Sequence, residues 1–323
     1  MTAEPAASHR QTYIARINRV VNYIDAHIGQ TLDLATLAGV AHFSPWHFHR
    51  LFLAITGETL ADCVRRHRLE AAARRLLHQP PQPALAIALD VGFASAEVFT
   101  RAFRAHFGMT PTAWRRGGWR AWSQSRREQL SKIHQDLRKP DQAAAPPFAD
   151  DSSRWPASQH DLNKGPVMNV ELRTLPAMRL AYLRHTGPYG TPGIGQTWQR
   201  FCAWLAAQGM GAQDMYGISQ DDPEITQADK CRYDCCVQVD AAFAAQGDIG
   251  VQAFAGGLHA CAHFTGTGAT IHAAWMQLFG QWLPASGYQA TDAPALELYE
   301  KNFPADEKTG SFSCLLCLPV KPL

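Results

Sequence analysis

The sequence predicts a multidomain chain, with an all-α N-terminal domain of two helix-turn-helix units followed by an α+β domain built by duplication. Three observations predict it. A helix-sized pattern occurs twice early on, with Phe43, Ser44, Phe48, Arg50, Phe52 and Gly57 matched by Phe93, Ser95, Phe99, Arg101, Phe103 and Gly108. Beyond about residue 165 the apolar period changes from helical to alternating. The charge divides as well: residues 1–127 hold 16 Arg, no Lys and 8 Asp+Glu, a formal +8 in a chain of net charge +2, which leaves −6 for the remainder.

The elements follow in order. From Gln11 to His27, Ile14, Ile17, Val20, Val21 and Ile24 recur at helical spacing. Thr31–Gly39 is a short capped helix that stops at glycine. After a tight connection comes a helix with Ser44 as N-cap, apolar residues on one face, arginine on the other and Gly57 as its stop. Leu60–Leu77 is a longer helix that ends before Pro80-Pro81, with Arg65, Arg66, Arg68, Arg74 and Arg75 outside. Ala84–Asp90, Val91-Gly92-Phe93 and Ser95–Phe107 repeat the short helix, the turn and the second helix. Thr110-Pro111 opens a last helix with proline in its first position. Residues 8–122 are expected to form this domain. Residues 128–165, rich in Gln, Ala, Pro, Asp and Ser, are expected to be a flexible linker.

Residues 166–322 form the second domain. Val167–Leu175 and Arg179–His185 are strands, Trp198–Ala207 a helix and Cys231–Val239 a strand. A second round follows, with strands Ile249–Phe254 and Leu258–Phe264, helix Ile271–Leu283, and strands Ala295–Tyr299 and Phe312–Leu318. Two successive strand–strand–helix–strand–strand units imply helices packed over antiparallel sheet.

At 46% hydrophobic and 18% charged the composition is that of an ordinary globular protein, and eight Cys do not make a disulfide scaffold. The chain shows no apolar run of membrane-spanning length and no signal-like N-terminus, so a cytoplasmic, reduced protein with no membrane partner is expected. Cys314-x-x-Cys317 has zinc-like spacing, but i and i+3 on a strand point to opposite faces, so buried apolar thiols are the reading. His47-x-His49 diverges on a helix, and His259 and His263 sit too far apart on a strand to share one ion. Neither a metal nor a cofactor is expected, and there is no phosphate loop, nucleotide fingerprint or serine elbow. A basic segment that is Arg-only suits bidentate contacts to phosphates and base edges, and two such helices suit two DNA major grooves.

Ser44-Pro45-x-x-Phe48-x-Arg50-x-Phe52, Arg68-Leu69-x-x-Ala72, Ile87-Ala88-x-x-x-Gly92-Phe93 and Phe99-x-Arg101-x-Phe103-x-x-x-x-Gly108-x-x-Pro111 resemble the AraC/XylS family of bacterial transcription regulators. The resemblance implies that the long helix separates two readers placed in successive major grooves. By motif position the DNA-facing residues are Ser44, Trp46, His49 and Arg50 in the first unit, and Ser95, Ala96, Glu97, Thr100, Arg101 and Arg104 in the second. A surface ion pair is the other role open to Arg50 and Arg101. Glu97 departs from the neutral amides often found there; it could accept from cytosine N4 or simply favour the helix N-terminus.

The later string, with Arg184-His185-x-Gly187-Pro188-Tyr189, Cys231-x-Tyr233-Asp234, Gly256-Gly257, Trp282-Leu283-Pro284, Glu297-x-Tyr299 and Leu318-Pro319-Val320, resembles the GyrI-like effector domain. That implies a small-molecule pocket between two halves, lined by aromatic rings around one buried carboxylate. Glu297 matches the carboxylate, and Tyr189, Trp275, Trp282 and Tyr299 are candidate walls. A desolvated carboxylate without a partner, among ring faces that attract cations, would favour a lipophilic cation. Core packing is the competing role for Trp275 and Trp282, seven residues apart on one helix face, and a solvated strand end is the competing role for Glu297.

Together these point to a ligand-responsive, sequence-specific DNA-binding transcriptional regulator rather than an enzyme. Its partners are double-stranded DNA, a small-molecule effector and, for an activator, RNA polymerase, and it would act as monomer or homodimer. Two alternatives come with the GyrI-like resemblance: a small-molecule hydrolase using Glu297 with Tyr299, and a protein-sequestering module that binds a topoisomerase.

Overall fold

The structure is a computed structural model and describes residues 4–77, 81–138, 168–190, 192–210, 213–268, 270–301, 305–306 and 310–323. The chain divides into a helical unit, 1–125 with the segment 240–252, and a sheet-bearing unit, 126–239 with 253–323.

The helical unit runs α1 (Glu4–Ala26), α2 (Leu34–Val40), α3 (Pro45–Thr56), α4 (Leu60–Arg75), α5 (Ala84–Asp90) and α6 (Ala96–Phe107). The short helices have local reasons to start and stop. Asp33 accepts the Thr36 N–H ahead of α2, and Thr59 accepts the Asp62 N–H ahead of α4. Gly57 and Gly108 end α3 and α6 in the left-handed region at φ 72°, each N–H closing the last turn. Ile17, Val20 and Ile24 of α1 meet Leu37 of α2, Phe48 and Phe52 of α3 and Cys63 of α4 in one core. Full burial of each such side chain contributes roughly 1.5–3 kcal/mol. Around α6, the rings of Phe103, Phe107, Trp114 and Trp122 pack in tilted and edge-to-face contacts, and Trp114 Nε1 donates to the Ala73 carbonyl of α4 at 3.1 Å.

Helix α4 ties the two halves of this unit together. Its Arg68 guanidinium donates to the carbonyls of Ile28 (3.1 Å) and Gln30 (2.7 Å) on one side and of Gly92 (2.8 Å) on the other. Gly92, at φ 89°, sits so close that a Cβ there would meet the guanidinium at 2.7 Å.

The chain then passes through α7 (Pro111–Ala113), capped by Thr110, and a π-helical turn (Trp114–Gly118) into α8 (Trp119–Arg138). Residues 128–138 are therefore helical where a linker was expected, because Glu128, Gln129, Leu130, Lys132 and their neighbours are good helix formers despite their polarity. The rest of that expected linker lies outside the described residues. No helix among the described residues is long and apolar enough to cross a membrane.

The second unit holds β1 (Val170–Leu175), β2 (Met178–Thr186), α9 (Pro192–Ala207), β3 (Met215–Ser219), β4 (Arg232–Gln238), β5 (Gly250–Phe254), β6 (Gly257–Gly266), α10 (Ile271–Gln277), a π-helical turn (Leu278–Trp282), α11 (Leu283–Ala285), β7 (Tyr288–Ala290), β8 (Ala295–Tyr299), β9 (Ala305–Asp306) and β10 (Ser311–Pro322). The main strand order is β1-β6-β10-β8-β3-β4-β2-β5, with β7 and β9 pairing to β10. This order is palindromic: exchanging β1, β2, β3, β4 for β5, β6, β8, β10 reverses it. The duplication is thus real, and each half lends its first strand to the second strand of the other. The halves meet at β3 and β8, where Gly217 opposes Glu297. One sheet face gathers apolar residues from all eight of these strands, and the other packs against α10 and its π turn. Cys314 and Cys317 fall in different clusters, on opposite faces of β10 as their spacing requires.

Candidate functional site

In the helical unit, α3 and α6 bury their phenylalanines and turn the candidate reader residues outward. His49, Arg50, Glu97, Arg101 and Arg104 are exposed, while Ala96 and Thr100 are half-buried. Among the described residues neither Arg50 nor Arg101 closes an ion pair, though Arg101, one turn on from Glu97, is near enough to draw that carboxyl down. The two serines differ. Ser95 caps α6, accepting the Val98 N–H at 3.3 Å, whereas the exposed Ser44 hydroxyl is bonded to His47 Nδ1 at 3.0 Å and makes no backbone cap. Pro45, in the first position of α3, has no N–H to offer. Glu97 is drawn below the usual carboxylate range by the Ser95 hydroxyl, its own backbone N–H and Arg101. This favours its helix-terminus role. The Trp46 side chain lies outside the described residues.

In the second unit, β8 carries Glu297 inward. It is 7% exposed, and its Oε2 accepts from the Tyr233 hydroxyl of β4 (2.5 Å) and the Tyr299 hydroxyl (2.8 Å). Oε1 accepts from Trp275 Nε1 of α10 at 3.4 Å. Burial pushes the carboxyl above its ordinary range, with these three donors pulling the other way. Both phenols are pushed well above theirs by burial and by Glu297, so they act as neutral donors. The opposing Gly217 makes the arrangement possible, since a Cβ there would stand 1.8 Å from the Tyr233 hydroxyl and 2.9 Å from Glu297 Oε2.

Rings surround this centre. Trp198 of α9 lies 5.1 Å from Tyr299 and 6.4 Å from Tyr233, and Tyr189 lies 6.3 Å from Tyr233. Tyr189 is held by its hydroxyl, which donates to the Arg232 carbonyl at 2.6 Å. Two buried ion pairs flank Tyr233: Arg184 with Asp234 and Arg232 with Asp221, both at 2.7 Å. Each guanidinium is neutralised by its own aspartate, which leaves Glu297 as a buried carboxylate with neutral donors only.

Against known proteins, the helix-turn-helix domain family matches residues 37–117 and the GyrI-like small molecule binding domain matches residues 168–321. The regulatory protein SoxS of Salmonella typhimurium is 35% identical over 108 residues, 33% of this chain and 96% of SoxS. The chain belongs to the AraC/XylS family of transcriptional regulators. The transcriptional regulator Rob of the same organism is 36% identical over 107 residues, 33% of this chain and 36% of Rob. The solved EcmrR C-terminal domain aligns with a TM-score of 0.38 and 13% identity, over 49% of this chain and all of that one.

In this AraC/XylS member Glu297 is bonded by Tyr299 and Trp275, while Tyr189 lies one ring further out, against Tyr233. Glu297 is not partnerless, having three neutral donors. Trp282, the last residue of the π turn, stacks on Tyr288 at 6.3 Å and packs with Trp275 against one apolar cluster, which is the core-packing role weighed for the pair. The residues that sequence reasoning missed are Trp198, Tyr233 and Gly217. Tyr233 sits two residues beyond Cys231 in the quoted string, but only the fold shows that it points at β8.

Proposed function

We propose that the chain binds operator DNA through α3 and α6 in successive major grooves, and that a lipophilic cation held against Glu297 modulates this binding. The observation that carries the DNA half is the pair of exposed arginines, Arg50 and Arg101, at matching positions on two alike helices with no ion pair among the described residues. Trp46, His49, Thr100 and Arg104 complete the proposed contact set with the exposed Ser44, while Ser95 caps the start of α6. The ligand half rests on a buried carboxylate whose donors are all neutral, so an incoming cation meets uncompensated charge amid ring faces.

The test is fluorescence anisotropy on the DNA upstream of the coding sequence, across a salt series. Arg50→Ala and Arg101→Ala are each expected to cost roughly 1–3 kcal/mol at the specific site. Unchanged affinity in both variants, with the fold intact by circular dichroism, would remove the assignment.

A further inference from the structure

Cys261 of β6 and Cys317 of β10 are directly opposed across an antiparallel ladder, both turned into the same apolar cluster, with Sγ atoms 3.0 Å apart. A disulfide needs S–S of about 2.04 Å and Cα atoms about 4.4–6.8 Å apart, and directly opposed residues of such a ladder lie about 4.5–5.5 Å apart. Bridging therefore takes a side-chain shift of roughly 1 Å and no rearrangement of the backbone. We propose that Cys261 and Cys317 form a dithiol modification site that hydrogen peroxide converts into a disulfide linking β6 to β10.

The two sulfurs have different surroundings. On the neighbouring β1, Glu171 opposes Cys261 and Arg173 opposes His259, which puts all four side chains on one sheet face. The hydrogen bond shared with Cys317 and the Arg173 guanidinium draw the Cys261 thiol down against its burial, while the same shared bond and burial push Cys317 up. Cys261 is thus the attacking sulfur and Cys317 the resolving one. The Cys261 thiolate attacks one peroxide oxygen, the O–O bond breaks, and hydroxide leaves and takes up a proton as water, which leaves a sulfenic acid on Cys261. Cys317 then attacks that sulfur, the S–O bond breaks, and the second oxygen leaves as water with the Cys317 proton. Two thiols give up two electrons and two protons, and one peroxide becomes two waters. The exposed Cys202 lies near enough to the buried Cys235 to push its thiol up, so Cys202 is removed in the test. The cross-link would fix β10 beside the site, because Leu316, next to Cys317, opposes Glu297.

The test uses full-length protein carrying Cys202→Ser, exposed to graded hydrogen peroxide, quenched by alkylation and digested without reductant. The expected result is the loss of two thiols together, one peptide pair linked through Cys261 and Cys317, and full recovery with dithiothreitol. With Cys317→Ser added, the link should vanish and dimedone should label Cys261. Retention of all thiols at peroxide levels that consume Cys202 in the unsubstituted chain, or a link between any other pair, would overturn the proposal.

Discussion

Glu297 is held at a cost to stability. Burial raises its carboxyl above the ordinary range, so the folded chain binds that proton more tightly than the unfolded one does. Its contribution to stability is therefore fullest at low pH and declines as pH rises beyond the usual carboxylate values. Glu297→Gln keeps the shape and removes the charge. It is expected to leave the neutral-pH melting temperature unchanged or raise it by a few degrees, about 1 kcal/mol. The same change should weaken an aromatic quaternary ammonium probe at least about tenfold while sparing its neutral isostere, as the loss of one buried ion pair would. Calorimetry with the two probes checks this, and equal losses would mean that shape rather than charge selects the ligand. Gly217 permits the site from the opposite strand. In Gly217→Ala the added methyl would stand where the Tyr233 hydroxyl is, so about 1–3 kcal/mol of stability and most of the cation affinity should go together. Thermal melts with the same titration would detect either loss alone, which would show that Tyr233 can move aside.

The elements carry the next layer, and α4 shows it best. One guanidinium, that of Arg68, satisfies two carbonyls of the connection between α1 and α2 and one of the turn between α5 and α6, tying the two halves of the unit together. Arg68→Ala should cost about 2–4 kcal/mol of stability, and Arg68→Lys should recover little, because a point charge cannot serve three acceptors in a fork. Denaturant unfolding followed by circular dichroism gives both numbers, and full rescue by lysine would reduce the role of Arg68 to charge. Elements of this kind were legible in the sequence where period and caps agree: Ala84–Asp90 appears as expected, and α3 and α6 begin at their serines and stop at their glycines. They were not legible where tertiary pairing overrides local signals. The strand β3, Met-Tyr-Gly-Ile-Ser, is short and broken by a glycine, yet it lies mid-sheet and completes the first repeat. Tyr233 and Trp198 belong to elements that were foreseen, but strand order and helix docking bring them to Glu297, and neither follows from spacing along the chain.

For the whole molecule the charge division sets the terms. The first 127 residues carry +8 and the rest −6, so phosphate contacts belong to the helical unit, and DNA affinity should fall steeply with salt at a slope of about −0.9 per phosphate neutralised. Coupling between ligand and DNA is then a free energy that either titration can report. If the cation changes DNA affinity by some factor, bound DNA must change cation affinity by the same factor, typically about 5–150-fold for a coupling of about 1–3 kcal/mol. The measurement pairs anisotropy on DNA with and without saturating probe, and probe calorimetry with and without saturating DNA, at one salt concentration. Equal factors, both abolished by Glu297→Gln while the probe-free DNA affinity stays the same, are the expected outcome. A factor of one in both directions, with the probe still bound, would place the effect of the ligand at a later step than DNA binding, such as the encounter with RNA polymerase. Unequal factors would mean that the probe reaches the DNA itself, since a cycle of four states leaves no other source for the difference.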